Sequence, residues 1–212
     1  MFLKNIKFRN YKIKTNIKNV KKNLNILLKE NNEVINSLKK NYNYSFSRNL
    51  INKYKKYSNF RIIGLGGSSL GTQAISQFLK NKIKKQFTFI DNLETKIQKK
   101  FKNKKYVNLI VSKSGNTIET IVNANILIKN KDKNIFITEK RNSYLYNLAL
   151  KLKADIVHHN NFIGGRYSVL SEVGMLPAQL MNLNSNKFKQ FNSLINNKNF
   201  MNNLVLKVET KV

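Results

Sequence analysis

The sequence predicts an α/β fold: a three-layer αβα sandwich around a five-stranded parallel sheet of order 2-1-3-4-5, with an N-terminal helical extension. Three observations predict it. From Phe60 onward, short apolar runs alternate with stretches of helical periodicity. Val107–Val111 is an apolar run of the kind a strand covered on both faces needs. Phe60–Gly71, FRIIGLGGSSLG, passes from an apolar run through a glycine-rich turn into a helix start, the arrangement in which backbone N–H groups meet an anion.

The elements follow in order. Val20–Lys40 carries Leu24, Leu27, Leu28, Val34, Ile35 and Leu38 at helical spacing, and Leu50–Tyr57 suits a second helix. Arg61–Leu65 reads as strand one. Ser69–Lys80 is the helix after it, with Ala74, Ile75, Phe78 and Leu79 on one face. Phe87–Ile90 is strand two, ending at Asp91, and Leu93–Phe101 a short helix. Val107–Val111 is strand three and Thr117–Lys129 the next helix, anchored by Ile118, Ile121 and Val122. Asn134–Thr138 and Asp155–His158 are strands four and five, separated by a helix over Tyr144–Leu152. An apolar helix over Val173–Leu183 holds the single proline, Pro177. The tail from Asn184 is rich in Asn and Lys, and the weak alternation of Leu204–Val208 suits the start of another strand rather than a closing helix. With right-handed crossovers, the simplest arrangement for five such strands is the flavodoxin-like order. Residues 1–57 then form a helical extension, 58–183 the α/β domain, and 184–212 the start of a connection to further structure.

Composition narrows the function. The chain has 212 residues and no cysteine, which excludes a disulfide scaffold and a cysteine-ligated zinc site. No apolar run reaches the ~18 residues of a membrane span, and no secretory signal opens the sequence, so the expectation is a cytoplasmic protein without membrane contact. The formal net charge is +30. The lysines are spread along the chain with Asn and Ile rather than clustered, so they read as solvated surface and not as a specific nucleic-acid footprint. Such a charge still raises encounter rates with small phosphorylated molecules and favours salt-sensitive adhesion to polyanions.

Two loops fall at the predicted switch point between strands one and three, where open α/β sheets bind ligands. Gly64–Gly71 is neither a Walker A loop nor a dinucleotide fingerprint, because Ser69 stands where the last glycine of G-x-G-x-x-G belongs. Asp91, at the end of strand two, is the one feature that suits a dinucleotide ribose. The second loop, Ser112–Thr120, reads SKSGNTIET. Ser112, Ser114 and Thr117 bring three hydroxyls, and Lys113 an ammonium, to the start of a helix. That set suits a terminal phosphate monoester. A plain Ser/Thr helix cap needs one such residue, not a cluster.

GLGGSSLG, SKSGNT and IGGRYSVLSEVGMLPA, in this order and spacing, closely resemble the glucose-6-phosphate (phosphoglucose) isomerase family, and more broadly the sugar-isomerase (SIS) domain superfamily of phosphosugar binders. IGGRYSVLS is the most specific of the three. The resemblance covers Phe60 to about Leu183. It implies aldose–ketose isomerisation of glucose 6-phosphate and fructose 6-phosphate through an enediolate, with no cofactor and no metal, by a homodimer when complete. It implies that Gly67 and Ser68 contact the sugar, and that Ser112, Lys113, Ser114 and Thr117 bind the phosphate. Gly165 and Arg166 lie against the reacting carbons, with Arg166 stabilising the enediolate. A fixed, always-protonated guanidinium suits that charge. Asn116 replaces the hydroxyl usual in the family.

The reaction also requires a carboxylate base and ring-opening acid–base groups. In the family these are a Glu, a His and a Lys from the second half of the protein. Glu119 and Glu172 do not match that base, and His158 and His159 precede the arginine block, where the family has no catalytic histidine. The chain is therefore expected to be the N-terminal part of such an enzyme, binding a phosphosugar weakly and turning it over poorly or not at all. Two alternatives stand beside this reading: a non-catalytic phosphosugar-binding module and, less favoured, a dinucleotide-dependent oxidoreductase.

Overall fold

The computed structural model describes residues 18–93, 105–129, 132–189 and 196–209. Backbone contacts divide the chain into two compact units. One comprises residues 43–185, the other residues 1–42 with 186–212.

Within the 43–185 unit, five parallel strands form one sheet of order β2-β1-β3-β4-β5. They are β1 (Asn59–Ile63), β2 (Gln86–Ile90), β3 (Val107–Val111), β4 (Lys133–Thr138) and β5 (Asp155–His158). The register runs Ile62↔Leu109 between β1 and β3, Leu109↔Ile135 between β3 and β4, and Ile137↔Val157 between β4 and β5. Alternate residues therefore line two separate cores. Phe60, Ile62, Leu109, Val111, Ile135, Ile137 and Val157 face α3 (Arg48–Lys55) and α7 (Glu172–Leu180), whose Ile51, Tyr54, Val173, Leu176 and Leu180 complete that core. Ile63, Ile110 and Phe136 face α5 (Ile118–Leu127) and α6 (Tyr144–Lys151), through Ala124, Leu127, Leu145 and Ala149. This is the two-sided cover that an all-parallel sheet requires.

The second face carries a polar row as well. Arg61, Asn108 and Asn134 are register neighbours, and all are buried. Asn108 donates to Asn134 Oδ1 at 2.8 Å and to Asp132 at 3.2 Å, and the Arg61 guanidinium reaches the Leu127 carbonyl at 3.3 Å while lying 4.4 Å from the centre of the Tyr106 ring. Burial lowers the Arg61 pKa from its ordinary value, opposed by Asp132.

Strand β1 starts two residues earlier than the sequence predicts, and Leu65 is exposed. Helix α4 (Leu70–Phe78) buries Thr72 and Ile75; of the predicted face Ile75 is buried, whereas Phe78 is 87% exposed and Ala74 is exposed. The reason is Pro177. Lacking an N–H, it cannot bond the Val173 carbonyl four residues back in α7. The Thr72 hydroxyl donates to that carbonyl at 3.1 Å, which turns the Thr72–Ile75 side of α4 inward and satisfies a buried acceptor. In α5, Ile118 is 71% exposed and the buried residues are Thr120, Asn123, Ala124 and Leu127, so Ile118 does not anchor it.

In the other unit, the expected single helix over Val20–Lys40 is two: α1 (Lys18–Lys29) and α2 (Glu33–Ser37). Asn32 adopts an extended backbone and its side chain accepts from Ile35 N at 2.9 Å. That local cap starts a new helix in place of continuing the old one. Leu204–Val208 lies inside α8 (Lys198–Glu209), so the strand expected there is a helix. The helix predicted for Leu93–Phe101 falls almost wholly outside the described residues. Among the described residues, no helix is long and apolar enough to cross a membrane.

Candidate phosphosugar site at the sheet switch point

The observed strand order puts β1 and β3 side by side, so the loops after them meet at the carboxyl edge of the sheet. The first loop leaves Ile63, forms a tight turn at Gly66–Ser68 and enters α4. The second leaves Val111 and enters α5. They touch at once: a Cβ on Gly64 would lie 2.8 Å from the Val111 carbonyl oxygen.

In the second loop the three predicted hydroxyls converge. Ser112 Oγ lies 2.9 Å from Thr117 Oγ1, and Ser114 Oγ 3.5 Å from the same atom. Ser112 Oγ accepts from Gly115 N at 3.1 Å, and Ser114 Oγ from Asn116 N at 3.2 Å. Gly115 holds the turn at φ +67°, where a Cβ would sit 2.1 Å from Ser143 Oγ, so only glycine fits there. Thr117 is the N-cap residue of α5 by position, yet its hydroxyl makes no cap bond; it turns to Ser112. Among the described residues, the first-turn N–H groups of this ten-residue helix therefore receive no side-chain cap from Thr117, beside a cluster of hydroxyls.

Lys113 points elsewhere. Its Nζ donates to the Asn161 carbonyl at 2.7 Å and lies 3.6 Å from Glu139. Asn116 does not join the hydroxyls either: its Oδ1 accepts from Tyr144 N at 2.9 Å, at the start of α6.

The arginine block is a run of tight turns, Gly165–Leu170, packed against the first loop. A Cβ on Gly67 would lie 2.3 Å from the Gly165 carbonyl carbon and 2.9 Å from Arg166 N. The Gly67 side thus meets backbone of the arginine turn. Gly165 is less constrained, since a Cβ there would meet only Gly67 Cα at 4.0 Å. The buried Ser168 hydroxyl faces the Gly165 carbonyl at 2.6 Å and the Gly67 carbonyl at 3.3 Å. Val169 wedges between Gly71 of α4 and Gly174 of α7. Arg166 is exposed. Among the described residues, neither its guanidinium nor the Ser68 hydroxyl engages a hydrogen-bonding or ionic partner.

Glu172 and His159 are engaged within the protein, whereas His158 Nδ1 is buried without a hydrogen-bond partner among the described residues. Glu172 is buried and accepts from Ser45 N at 3.2 Å. His159 is 1% exposed, its Nδ1 3.0 Å from the Asn160 carbonyl. Burial holds it below the ordinary imidazole pKa, partly offset by that hydrogen bond, with the Lys113 charge adding to the depression. The His158 carbonyl accepts the Ser45 hydroxyl at 2.6 Å. Asp91, half-buried, follows directly on β2. Among the described residues, no cluster of acidic, histidine or cysteine side chains suits a metal ion.

Sequence reasoning missed one segment, Thr138–Leu145, which runs from the end of β4 into α6. Glu139 is 7% exposed and pairs with Arg141 at 3.1 Å as well as with Lys113. The only signal in the sequence was an acidic residue followed by basic ones directly after an apolar strand, FITEKR.

The chain is 35% identical over 155 residues to the glucose-6-phosphate isomerase of Prochlorococcus marinus (strain MIT 9515), covering 65% of this chain and 29% of that protein. It is 32% identical over 174 residues to the glucose-6-phosphate isomerase of Methanocaldococcus jannaschii, covering 74% of this chain and 43% of that one. The chain therefore spans well under half the length of these curated relatives. Among solved structures, a hypothetical protein of Thermus thermophilus superposes with a TM-score of 0.65 over 86% of this chain and 49% of its own, at 19% identity. The tagatose-6-phosphate ketose/aldose isomerase of Escherichia coli does so at 0.52 over 67% of this chain and 44% of its own, at 18% identity. These two show a shared fold. The family model described as phosphoglucose isomerase matches residues 15–210, and on that match the chain belongs to the phosphoglucose isomerase family.

Proposed function

We propose that this chain supplies the phosphate- and sugar-binding part of a glucose-6-phosphate isomerase, an enzyme that interconverts glucose 6-phosphate and fructose 6-phosphate. The observation that carries the reading is the Thr117 hydroxyl, which joins Ser112 and Ser114 and leaves the α5 N-terminus without its side-chain cap. Hydroxyl donors and unpaired first-turn N–H groups in one place match a phosphate monoester. On this reading the phosphate lies against Ser112, Ser114, Thr117 and the backbone of Lys113. The sugar lies over Ser68 and the turn at Gly67 and Gly165.

Isomerisation moves a proton from carbon 2 to carbon 1 of the aldose. Removing it leaves an enediolate whose oxygen charge must be stabilised until a proton is returned. Arg166 is the group for that charge, since its guanidinium has no competing partner among the described residues and presents a rigid fork of donors. The base that takes the proton is assigned to residues beyond this sequence. Glu139 is held by two cations and Glu172 by a backbone amide, and Glu119 lies in the first turn of α5. On the same reading, residues 58–183 are the first sugar-isomerase domain, 1–57 its helical extension and 184–212 the start of a connection. The whole enzyme is a cytoplasmic homodimer that needs no cofactor.

Ligand-induced thermal stabilisation tests the binding claim, because a ligand that binds only the native state at ~100 times its Kd adds about 2.7 kcal/mol. Fructose 6-phosphate is expected to raise the Tm and NAD is not; the reverse result overturns the reading in favour of a dinucleotide enzyme. Robust turnover by the chain alone, lost in Arg166→Ala, would instead overturn the assignment of the base to residues beyond it.

A further inference from the structure

The segment after β4 is bonded to the phosphate loop along its whole outer edge. Each carbonyl from Lys113 to Gly115 has a donor from it. Glu139 N donates to the Lys113 carbonyl at 3.2 Å and Leu145 N to the Gly115 carbonyl at 3.0 Å. Between them, the Arg141 guanidinium donates to the Ser114 carbonyl at 3.2 Å. The Thr138 hydroxyl adds a longer bond to the Lys113 carbonyl, at 3.4 Å.

The two ends of a peptide plane point in opposite directions. Carbonyls drawn outward to Thr138–Leu145 turn the attached N–H groups inward, where those of Gly115 and Asn116 donate to Ser112 Oγ and Ser114 Oγ and so hold the hydroxyl cluster in place. Of the three carbonyls, only that of Ser114 takes its donor from this segment through a side chain alone. That side chain, Arg141, is exposed, with 53% of its side-chain surface open. It is held by Glu139, whose carboxylate is nearly buried and bridges Arg141 to Lys113.

We propose that Glu139 and Arg141 are positioning residues for the phosphate site: Glu139 orients Arg141, and Arg141 fixes the Ser114 peptide, whose Gly115 N–H holds Ser112 Oγ, so that the loop presents its hydroxyls to an anion. The proposal deepens the phosphosugar reading and rests on it. It also accounts for Lys113, whose ammonium serves as the second strap of this frame and contributes to the ligand through its backbone.

Charge and positioning make opposite predictions for Glu139. A carboxylate near an anion site weakens anion binding by Coulomb repulsion, so removing its charge should tighten binding. If Glu139 acts by holding Arg141, removing its charge should weaken binding. Arg141→Lys keeps the net charge but loses the planar fork that bridges Glu139 and the Ser114 carbonyl.

The experiment measures fructose 6-phosphate and inorganic phosphate affinity of the full chain, wild type, R141K and E139Q, with Tm as a check on folding. The proposal expects both variants to bind both ligands roughly two- to twelvefold more weakly, the range set by one net hydrogen bond. It expects R141K to keep the wild-type Tm, since that side chain is exposed. Unchanged affinity in R141K, or tighter binding in E139Q, overturns it. Amide hydrogen exchange gives a readout that needs no ligand. Faster exchange in R141K confined to Gly115 and Asn116 supports the proposal, and unchanged exchange there overturns it. A wild-type chain that binds neither ligand refutes the phosphosugar reading, and the exchange result then still decides whether the frame exists.

Discussion

Gly67→Ala separates two reasons for a glycine in the first loop. One is close approach of a sugar; the other is close approach of the protein's own backbone. The geometry favours the second: the added Cβ would lie 2.3 Å and 2.4 Å from the carbonyl carbon and oxygen of Gly165, and 2.9 Å from Arg166 N. These are backbone atoms of a turn held by Ser168 and Val169, so they cannot swing aside as a flexible side chain would. Overpacking a tight contact costs roughly 1–3 kcal/mol, and the rigidity here points to the upper part of that range. Alanine returns ~0.4–1 kcal/mol by restricting the unfolded chain. The net loss is then about 2 kcal/mol, a fall in Tm of about 4–8 °C for a chain of this size. Gly164→Ala is the control, because its Cβ would meet only Tyr167 Cδ2 at an ordinary 3.5 Å. Thermal unfolding of both variants without ligand is the assay. If G67A melts within about 1 °C of wild type yet loses fructose 6-phosphate binding, the backbone argument is wrong and Gly67 serves the ligand alone.

Other substitutions probe the hydroxyls and the buried histidine. Ser112→Ala removes the acceptor for Gly115 N and the partner of Thr117. Gly115 N also faces the Ser112 carbonyl at 3.2 Å, which moderates the loss, so about 1–2 kcal/mol of stability is expected to go, read from urea midpoints. A similar loss in binding would lower phosphosugar affinity roughly 5- to 30-fold in calorimetry; unchanged affinity removes Ser112 from the site. His159 has its pKa lowered in the fold, chiefly by burial, from an ordinary value of 6.5. Below that value the unfolded chain binds the proton that the fold resists. Stability from the neutral ring is therefore complete above pH ~6.5 and lost as pH falls through the lower folded value. Urea midpoints of the wild type should drop between pH 7 and 5, with a shallower drop in His159→Gln; equal slopes would show that His159 contributes nothing to acid sensitivity.

The parts of this fold that could be read from sequence are those fixed by local pattern. β3 and β5 fall on the predicted residues, and the order 2-1-3-4-5, the simplest that right-handed crossovers allow for five strands, is the one observed. The hydroxyl cluster was legible because its members lie within six residues, Ser112–Thr117. What failed were judgements that depend on distant contacts. Ala74 and Phe78 have the right period for a buried face, but the Pro177 gap in α7 rotates Thr72 inward instead. Lys113 sits inside the phosphate motif, yet its side chain answers to Glu139 and Asn161, which are near only after β3, β4 and β5 align. Leu204–Val208 shows how little a five-residue alternation weighs against a helix that starts six residues earlier.

Taken together, the polar groups at the carboxyl edge sort into two sets, and the sorting itself carries information. Buried or half-buried polar atoms are paired in folded proteins because leaving them unpaired is costly. Around the switch point, Glu139, Glu172, His159, Lys113 and Ser168 obey that rule with partners inside the protein. Other groups there have no side-chain partner among the described residues: the buried His158 Nδ1 and Thr120 Oγ1, the first-turn N–H groups of α5, the Ser68 hydroxyl and the exposed Arg166 guanidinium. Arg166 is the sharpest case. Its turn is pinned by the Ser168 hydroxyl on one side and by Val169 between Gly71 and Gly174 on the other, while its own side chain is left unengaged among the described residues. The fold fixes the backbone of this arginine and leaves its side chain exposed and unengaged, an arrangement compatible with the proposed oxyanion role. A phosphosugar bound through Ser112, Ser114 and Thr117 would bring its developing oxyanion to that place.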